Sequence, residues 1–110
     1  MEELIDLLLE IADTAHRQHL ATRSYAKHMA LGDFYDSLRD NTDTLAEALI
    51  GMGNDVEEPE PDISAYLKER YAEVVAMRPI CDGDTAAENL FDNVAAGFLS
   101  TIYKLDRLTT

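Results

Sequence analysis

Apolar residues recur along most of the chain at spacings of three and four, the pattern that is typical of amphipathic α-helices. Four such segments follow one another, and none shows the strict alternation of apolar and polar positions that predicts a β-strand. We therefore predict an all-α fold. The four helices are expected at about residues 2–21, 24–51, 62–78 and 85–108 of a single domain that covers residues 1–110.

The apolar stripes predict which helix faces are buried. The first helix is apolar over much of its girth, which is typical of a helix buried on more than one side. Its stripe is formed by Leu4, Leu8, Ile11 and Ala15, widened by Ile5, Leu7 and Leu9. The stripe of the second helix is formed by Leu31, Tyr35, Leu38, Thr42, Leu45, Leu49 and Met52, and that of the fourth by Leu90, Val94, Phe98, Ile102 and Leu105.

Helix ends are marked by residues that cannot continue a helix or that cap one. Gly51 and Gly53 end the second helix, and residues 54–61 form an acidic linker that contains two prolines. Asp62 or Ser64 is expected to cap the third helix. The segment "TAAE", residues 85–88, has the spacing of a capping box and opens the fourth helix.

The order of the helices favours a four-helix bundle, because two pairs are separated by a longer connection. About eleven residues between the second and third helices reach about 36 Å at about 3.3 Å per residue. This reach is sufficient for a long crossover, so ferritin-type and simple up-down connectivities both remain open.

The charge of the chain excludes some classes of partner. Acidic residues number 22 and basic residues 9, so the formal net charge is −13. A surface this negative disfavours direct nucleic-acid binding, which depends on Lys and Arg contacts to phosphates. The same surface attracts cations, or could imitate DNA toward a basic partner. The acidic N-terminus and the absence of a long apolar run predict an intracellular protein without a membrane span. Cys81, the one cysteine of the sequence, is expected to act as a small buried hydrophobic residue.

The three histidines of the chain, His16, His19 and His28, lie within thirteen residues of one another. Asp43 and Glu47 follow at a spacing of four, which places both carboxylates on one side of a helix. Imidazoles and carboxylate pairs on bundle helices are the ligands of di-iron and di-manganese proteins. His28 and Asp43 are fifteen residues apart, about 22 Å along one helix, so they could share an ion only across a dimer. The alternative interpretation is a solvated acidic stripe and histidines paired with neighbouring acids.

The region from His19 to Gly51, "HLATRSYAKHMALGDFYDSLRDNTDTLAEALIG", resembles the first half of Dps, the mini-ferritin. It is closer still to small Dps-like proteins encoded by tailed bacteriophages. The Dps pattern has a His-Trp pair ending the first helix, a second histidine early in the next helix, and Asp-x-x-x-Glu fifteen residues later. His28, Asp43 and Glu47 match that spacing.

This resemblance implies a ferritin-like fold and a metal site formed by His19, His28, Asp43 and Glu47 between two-fold-related subunits. It also implies iron as the metal, with ferroxidase or storage activity, in a homo-oligomer that is at least a dimer and could be a cage. His19 corresponds to the first histidine if the loop is shorter, whereas ungapped spacing selects His16. Leu20 stands where Dps has tryptophan, and Gly32 stands where it has an aspartate.

Two other functions are compatible with the sequence. One is a non-enzymatic phage protein, acting as an acidic DNA mimic, an inhibitor or a virion component that binds a basic partner. The other is a MazG-like nucleotide pyrophosphohydrolase, for which Glu3, Asp6, Glu10 and Asp13 form acidic pairs on one short helix. The resemblance to phage proteins implies a location in the cytoplasm of a host bacterium or in the virion.

Overall fold

The computed structural model describes residues 1–108, and the fold in that part of the chain is all-α, as predicted. The helices are α1 (Glu2–Ala21), α2 (Tyr25–Gly51), α3 (Ile63–Ala76) and α4 (Thr85–Arg107), with a short 3₁₀ helix at Arg78–Cys81. No strand occurs in residues 1–108. None of the helices described there is both long and apolar enough to cross a membrane.

Side-chain caps fix where three of the helices begin. Ser24 Oγ accepts a hydrogen bond from the Lys27 amide at the start of α2, and Asp62 Oδ1 accepts one from the Ala65 amide at the start of α3. The Asp84 carboxylate, and not Thr85, caps α4. The predicted capping box was therefore wrong by one residue, since an aspartate directly before Thr85 supplies the stronger cap.

The chain divides into two compact units, Met1–Glu57 and Glu58–Thr110. The first unit is a hairpin of α1 and α2, which we call the first hairpin. The second contains α3, the 3₁₀ helix and α4, and we call it the second hairpin. The boundary lies in the acidic linker, whose residues 54–61 are exposed and carry no helix. The grouping of all 110 residues into one domain stays a prediction.

Small residues let α1 and α2 approach closely. Ile5, Ala12 and Ala15 are buried on α1 and Thr42 is buried on α2. The predicted stripe of α1 was therefore partly wrong, because Leu4 and Ile11 are 45% and 38% exposed. Alanine at the contact brings the helix axes together, and the larger side chains one position away are left at the edge. Leu45 and Met52 of the predicted α2 stripe are exposed as well.

Polar contacts join the elements of the second hairpin. Arg78 contacts Asp92 through two nitrogens, at 2.8 and 3.1 Å, and Glu88 at 3.4 Å. Near the C-terminal end of α4, Asp106 accepts a hydrogen bond from the Ser64 hydroxyl at 2.6 Å and forms an ion pair with Lys68 at 3.0 Å. These contacts connect α4 to the 3₁₀ helix and to the start of α3.

Each hairpin exposes large apolar side chains. The first hairpin exposes Leu4, Leu7, Leu9 and Ile11 of α1 with Phe34 and Leu45 of α2. The second exposes Leu90, Val94 and Leu105 of α4, which the sequence pattern placed on a buried face. Phe91, Phe98 and Ile102 of α4 are half-buried, and the Phe98 ring lies 6.2 Å from the Tyr71 ring of α3.

Candidate functional site

A short turn places the end of α1 beside the start of α2. Thr22 Oγ1 accepts a hydrogen bond from the Ser24 amide at 3.2 Å, and Ser24 in turn caps α2. His19 therefore lies in the last turn of α1 and His28 in the first turn of α2. The turn thus brings these two predicted ligands together, although nine residues separate them in the sequence.

The two histidines exchange hydrogen bonds with each other's backbone. His19 Nδ1 is 2.6 Å from the His28 carbonyl oxygen, and His28 Nδ1 is 2.9 Å from the His19 carbonyl oxygen. Their rings stack with centroids 3.7 Å apart. A carbonyl oxygen only accepts, so both Nδ1 atoms donate and carry a proton. In the neutral imidazoles, Nε2 is then the nitrogen with a free lone pair, the form that binds metals.

The hydrogen bond from His28 also satisfies the end of α1. The last four carbonyl groups of an α-helix have no partner within the helix, and the His19 carbonyl is one of them because α1 ends at Ala21. The Thr22 amide bonds to Gln18, so the imidazole of His28 supplies the partner that His19 would otherwise lack.

Gly32 provides the space that the His19 ring occupies. A Cβ atom at position 32 would lie 3.1 Å from His19 Cε1 and 3.2 Å from His19 Nδ1. Both distances are shorter than ordinary van der Waals contact. The absence of a side chain at this position therefore lets the ring lie against α2 and reach the His28 carbonyl.

An aromatic side chain extends the cluster along α2. The Tyr35 ring stacks on His16 with centroids 4.1 Å apart and lies edge-on to His19 at 5.4 Å. The Arg39 guanidinium is 5.7 Å from the centre of the Tyr35 ring, close enough for a cation–π contact. His16 therefore packs on Tyr35, one turn away from the hydrogen-bonded pair.

The carboxylates predicted as ligands lie farther along α2. Asp43 and Glu47 are both exposed, and α2 is continuous between them and His28. In residues 1–108, no group of three or more His, Cys, Asp or Glu side chains is arranged to hold a metal ion. The structure of one chain thus joins His19 to His28 and leaves Asp43 and Glu47 apart from them.

Two features of the cluster were not predicted from the sequence. Tyr35 was assigned only to an apolar stripe, and the packing role of Gly32 was not foreseen. A glycine inside a long helical pattern was the available signal, since such a residue costs helix stability and often permits a close approach.

Comparison with known proteins gives a family for the chain. Searches of curated proteins and of solved structures found no match. A family model, described as a family of unknown function (DUF5856), matches residues 19–105. The matched span contains His19, His28, Asp43 and Glu47, whereas His16 precedes it. The chain belongs to the DUF5856 family.

Proposed function

We propose that this protein is a ferritin-like, Dps-like protein that binds iron between two antiparallel copies of the chain. His19 and His28 of one copy supply nitrogen ligands, and Asp43 and Glu47 of the other supply oxygen ligands. The observation that carries the proposal is the continuity of α2 from Tyr25 to Gly51. Over the fifteen residues from His28 to Asp43, a straight helix spans about 22 Å, so a shared ion requires a second copy.

The histidine pair supports this proposal because its donor atoms are fixed in the absence of metal. Hydrogen bonds from Nδ1 to a backbone carbonyl orient metal-binding histidines and set their tautomer. His19 and His28 both make such bonds. Both rings are half-buried, and because they stack 3.7 Å apart with 19° between their planes, one ring must turn before both Nε2 atoms can reach the same ion.

The distribution of charge along the first hairpin supports an antiparallel pair. Arg17, Arg23 and Lys27 lie near the turn, together with the three histidines. The opposite end of the hairpin carries acids and no Lys or Arg: Glu2, Glu3, Asp6, Asp43 and Glu47. Two copies arranged antiparallel would oppose the basic end of each hairpin to the acidic end of the other, and opposite charges steer such an encounter.

Exposed apolar side chains support the four-helix bundle that the ferritin-like fold requires. Leu7 and Ile11 line a groove of ≈ 380 Å³ on the first hairpin, together with Ala15 and Leu31. On the second hairpin, Val94 and Leu67 line a groove of the same volume. Burial of apolar surface stabilises by about 25 cal/mol per Å², so helical hairpins of this kind gain stability by packing these faces in a bundle.

Ferrous iron would be the substrate of the site. Imidazole nitrogens and carboxylate oxygens bind iron in both oxidation states, and carboxylates favour the harder ferric ion. Asp43 and Glu47 would therefore stabilise the ferric ion more than the ferrous ion. The high negative charge of the chain would attract the cation.

Mixing two inactive variants tests the shared site. H28A and the double variant D43N/E47Q should each lose iron-dependent absorbance. When they are mixed, unfolded and refolded together, each mixed dimer regains one intact site, formed by the histidines of one copy and the carboxylates of the other. E69Q/E73Q is a matched control, because these acids have the same spacing on α3. Wild-type protein that shows no iron-dependent signal, or mixtures that regain none, would refute the proposal.

A second candidate is a non-enzymatic role in which the acidic surface binds a basic protein. The linker residues are exposed and include Glu57, Glu58 and Glu60. Reversal of these three charges to lysine should abolish the interaction, while H28A leaves it unchanged. The opposite pattern would exclude this role.

A further inference from the structure

We propose that α4 pairs in antiparallel orientation with α4 of a second copy of the chain. The contact is a stripe of exposed positions, which we call the α4 stripe: Leu90, Val94, Gly97, Thr101 and Leu105. It lies in the second hairpin, whereas the proposed metal ligands lie in the first. The pairing therefore goes beyond the proposed function and does not depend on a metal.

The α4 stripe is an apolar surface that a partner can cover. At about 100° per residue, its five positions fall within about 80° of one another around the helix. Leu90 and Val94 are 67% and 56% exposed. Leu67 of α3 and Phe98 border the stripe and line a groove of ≈ 380 Å³ with it. Because burial of apolar surface stabilises by about 25 cal/mol per Å², a partner in this groove would stabilise the hairpin.

The α4 stripe is symmetric about a point between residues 97 and 98, so it is complementary to itself. Leu90 lies as far before this point as Leu105 lies after it, and Val94 and Thr101 are related in the same way. With a two-fold axis at this point, Leu90 of each copy faces Leu105 of the other. The point lies near the middle of the 23 residues of α4, so the two helices overlap over almost their whole length.

Gly97 leaves the middle of the α4 stripe open for the partner helix. A Cβ at this position would meet nothing within 4 Å, so packing among the described residues does not require a glycine. Glycine in a helix interior nevertheless costs about 1 kcal/mol relative to alanine. A glycine or an alanine at the crossing point lets two helix axes approach to about 8 Å. The open middle therefore suits a second helix that lies along α4.

The charges at the two ends of α4 favour the antiparallel orientation. Residues 78–92, around its start, carry four acids and one base: Asp82, Asp84, Glu88, Asp92 and Arg78. The last turn carries Lys104 and Arg107, and Asp106 beside them is paired with Lys68. A parallel pair would place the two acidic starts together, whereas an antiparallel pair opposes each acidic start to a basic last turn. The helix dipoles favour the same orientation. The four-helix bundle expected for the fold is then shared between two copies.

Disulfide cross-linking between single-cysteine variants tests the orientation and the register. In a C81A background, L90C and L105C are mixed, unfolded, refolded together and oxidised, all without metal. Mixed pairs make up roughly half of the dimers, and these should cross-link because the Cα atoms of facing cysteines come within about 7 Å. Neither variant alone should cross-link, because the two copies of its cysteine lie about 22 Å apart along the paired helices.

A96C with L99C is the matched control for position on the helix. Both residues are exposed and are symmetric about the same point, but they lie on the opposite side of α4 from the stripe. Their mixture should give no cross-link. V94E should abolish the cross-link between L90C and L105C, because it would bury a carboxylate among apolar side chains.

Four results would overturn the pairing. A cross-link in L90C alone would show a parallel pair. No cross-link in the mixture of L90C and L105C would show that the α4 stripe stays exposed or is covered by another part of the same chain. An equal cross-link in the control mixture, or one that survives V94E, would show random collision. If the cross-link forms as expected and wild-type protein shows no iron-dependent absorbance, the proposed function fails and the pairing stands.

Discussion

Replacement of Gly32 by alanine sets helix propensity against the packing of His19. In a helix interior, Gly→Ala stabilises by about 1 kcal/mol. At position 32 the new Cβ would lie 3.1 Å from His19 Cε1, so the ring must move. A shift of a few tenths of an ångström strains a hydrogen bond and a ring stack that contribute about 1 kcal/mol each when intact. We therefore expect G32A to gain less than about 1 kcal/mol, the value that helix propensity alone would supply.

A double-mutant cycle separates these contributions. In an H19A background the ring is absent, so G32A should stabilise by about 1 kcal/mol, as expected for helix propensity alone. The coupling energy between positions 19 and 32 is then at most about 2 kcal/mol, and at least about 0.5 kcal/mol, the smallest value that residues in contact show in such cycles. Gly97 is the matched control, because it also lies inside a helix and a Cβ there meets nothing within 4 Å.

Urea unfolding followed by circular dichroism measures all the free energies, with the slope checked for constancy between variants. A coupling energy near zero would show that His19 and Gly32 do not contact each other as described. A stabilising effect of G32A equal to that of G97A in the wild-type background would refute the reasoning in the same way.

Three further changes probe other features of the fold. Thr42 is 2% exposed, and its hydroxyl has no hydrogen-bond partner among the described residues. T42V should therefore raise the free energy of unfolding by about 1 kcal/mol, whereas T44V, at an exposed position, should not. A loss of stability in T42V would mean that the hydroxyl has a partner. The hydrogen bond from Ser64 and the charge of Lys68 lower the pKa of Asp106 below 3.8. The ionised Asp106 therefore stabilises the fold above that pH, and this stabilisation is lost as the pH falls through the lowered pKa. D106N should flatten the acid end of a plot of unfolding free energy against pH, and D55N in the linker should not. Gly83 has φ +91°, a conformation that costs other residues about 1 kcal/mol. G83A should therefore lower the melting temperature, and an unchanged melting temperature would contradict the turn geometry.

The helices could be predicted from the sequence because their signals are local. The apolar spacing, the glycines at 51 and 53 and the aspartate at 62 lie next to the ends that they define. The exact buried faces could not be predicted in the same way. Leu4 and Ala12 both belong to a broad apolar arc, and only the approach of α2 decides that Ala12 is buried and Leu4 exposed.

The two histidines of the pair were visible in the sequence, and their contacts were not. The spacing of His28, Asp43 and Glu47 is visible in the sequence, as is the position of His19 near a helix end. The exchange of hydrogen bonds depends on a three-residue turn and on two backbone carbonyls, which side-chain identity does not reveal. Tertiary contacts of this kind follow from the relative placement of two helices.

The contact between Gly32 and His19 bears on the proposed likeness to Dps, whose pattern has an aspartate at the position that corresponds to Gly32. An aspartate has a Cβ, and that atom would lie 3.2 Å from His19 Nδ1, the atom that donates to the His28 carbonyl. An aspartate at position 32 would therefore crowd the His19 ring, which must shift by a few tenths of an ångström. If the G32D variant binds Co²⁺ more tightly than wild type, the aspartate acts as a ligand and the orientation of the histidines matters little. If it binds more weakly, the crowding of His19 by the new side chain outweighs any ligand that the aspartate supplies.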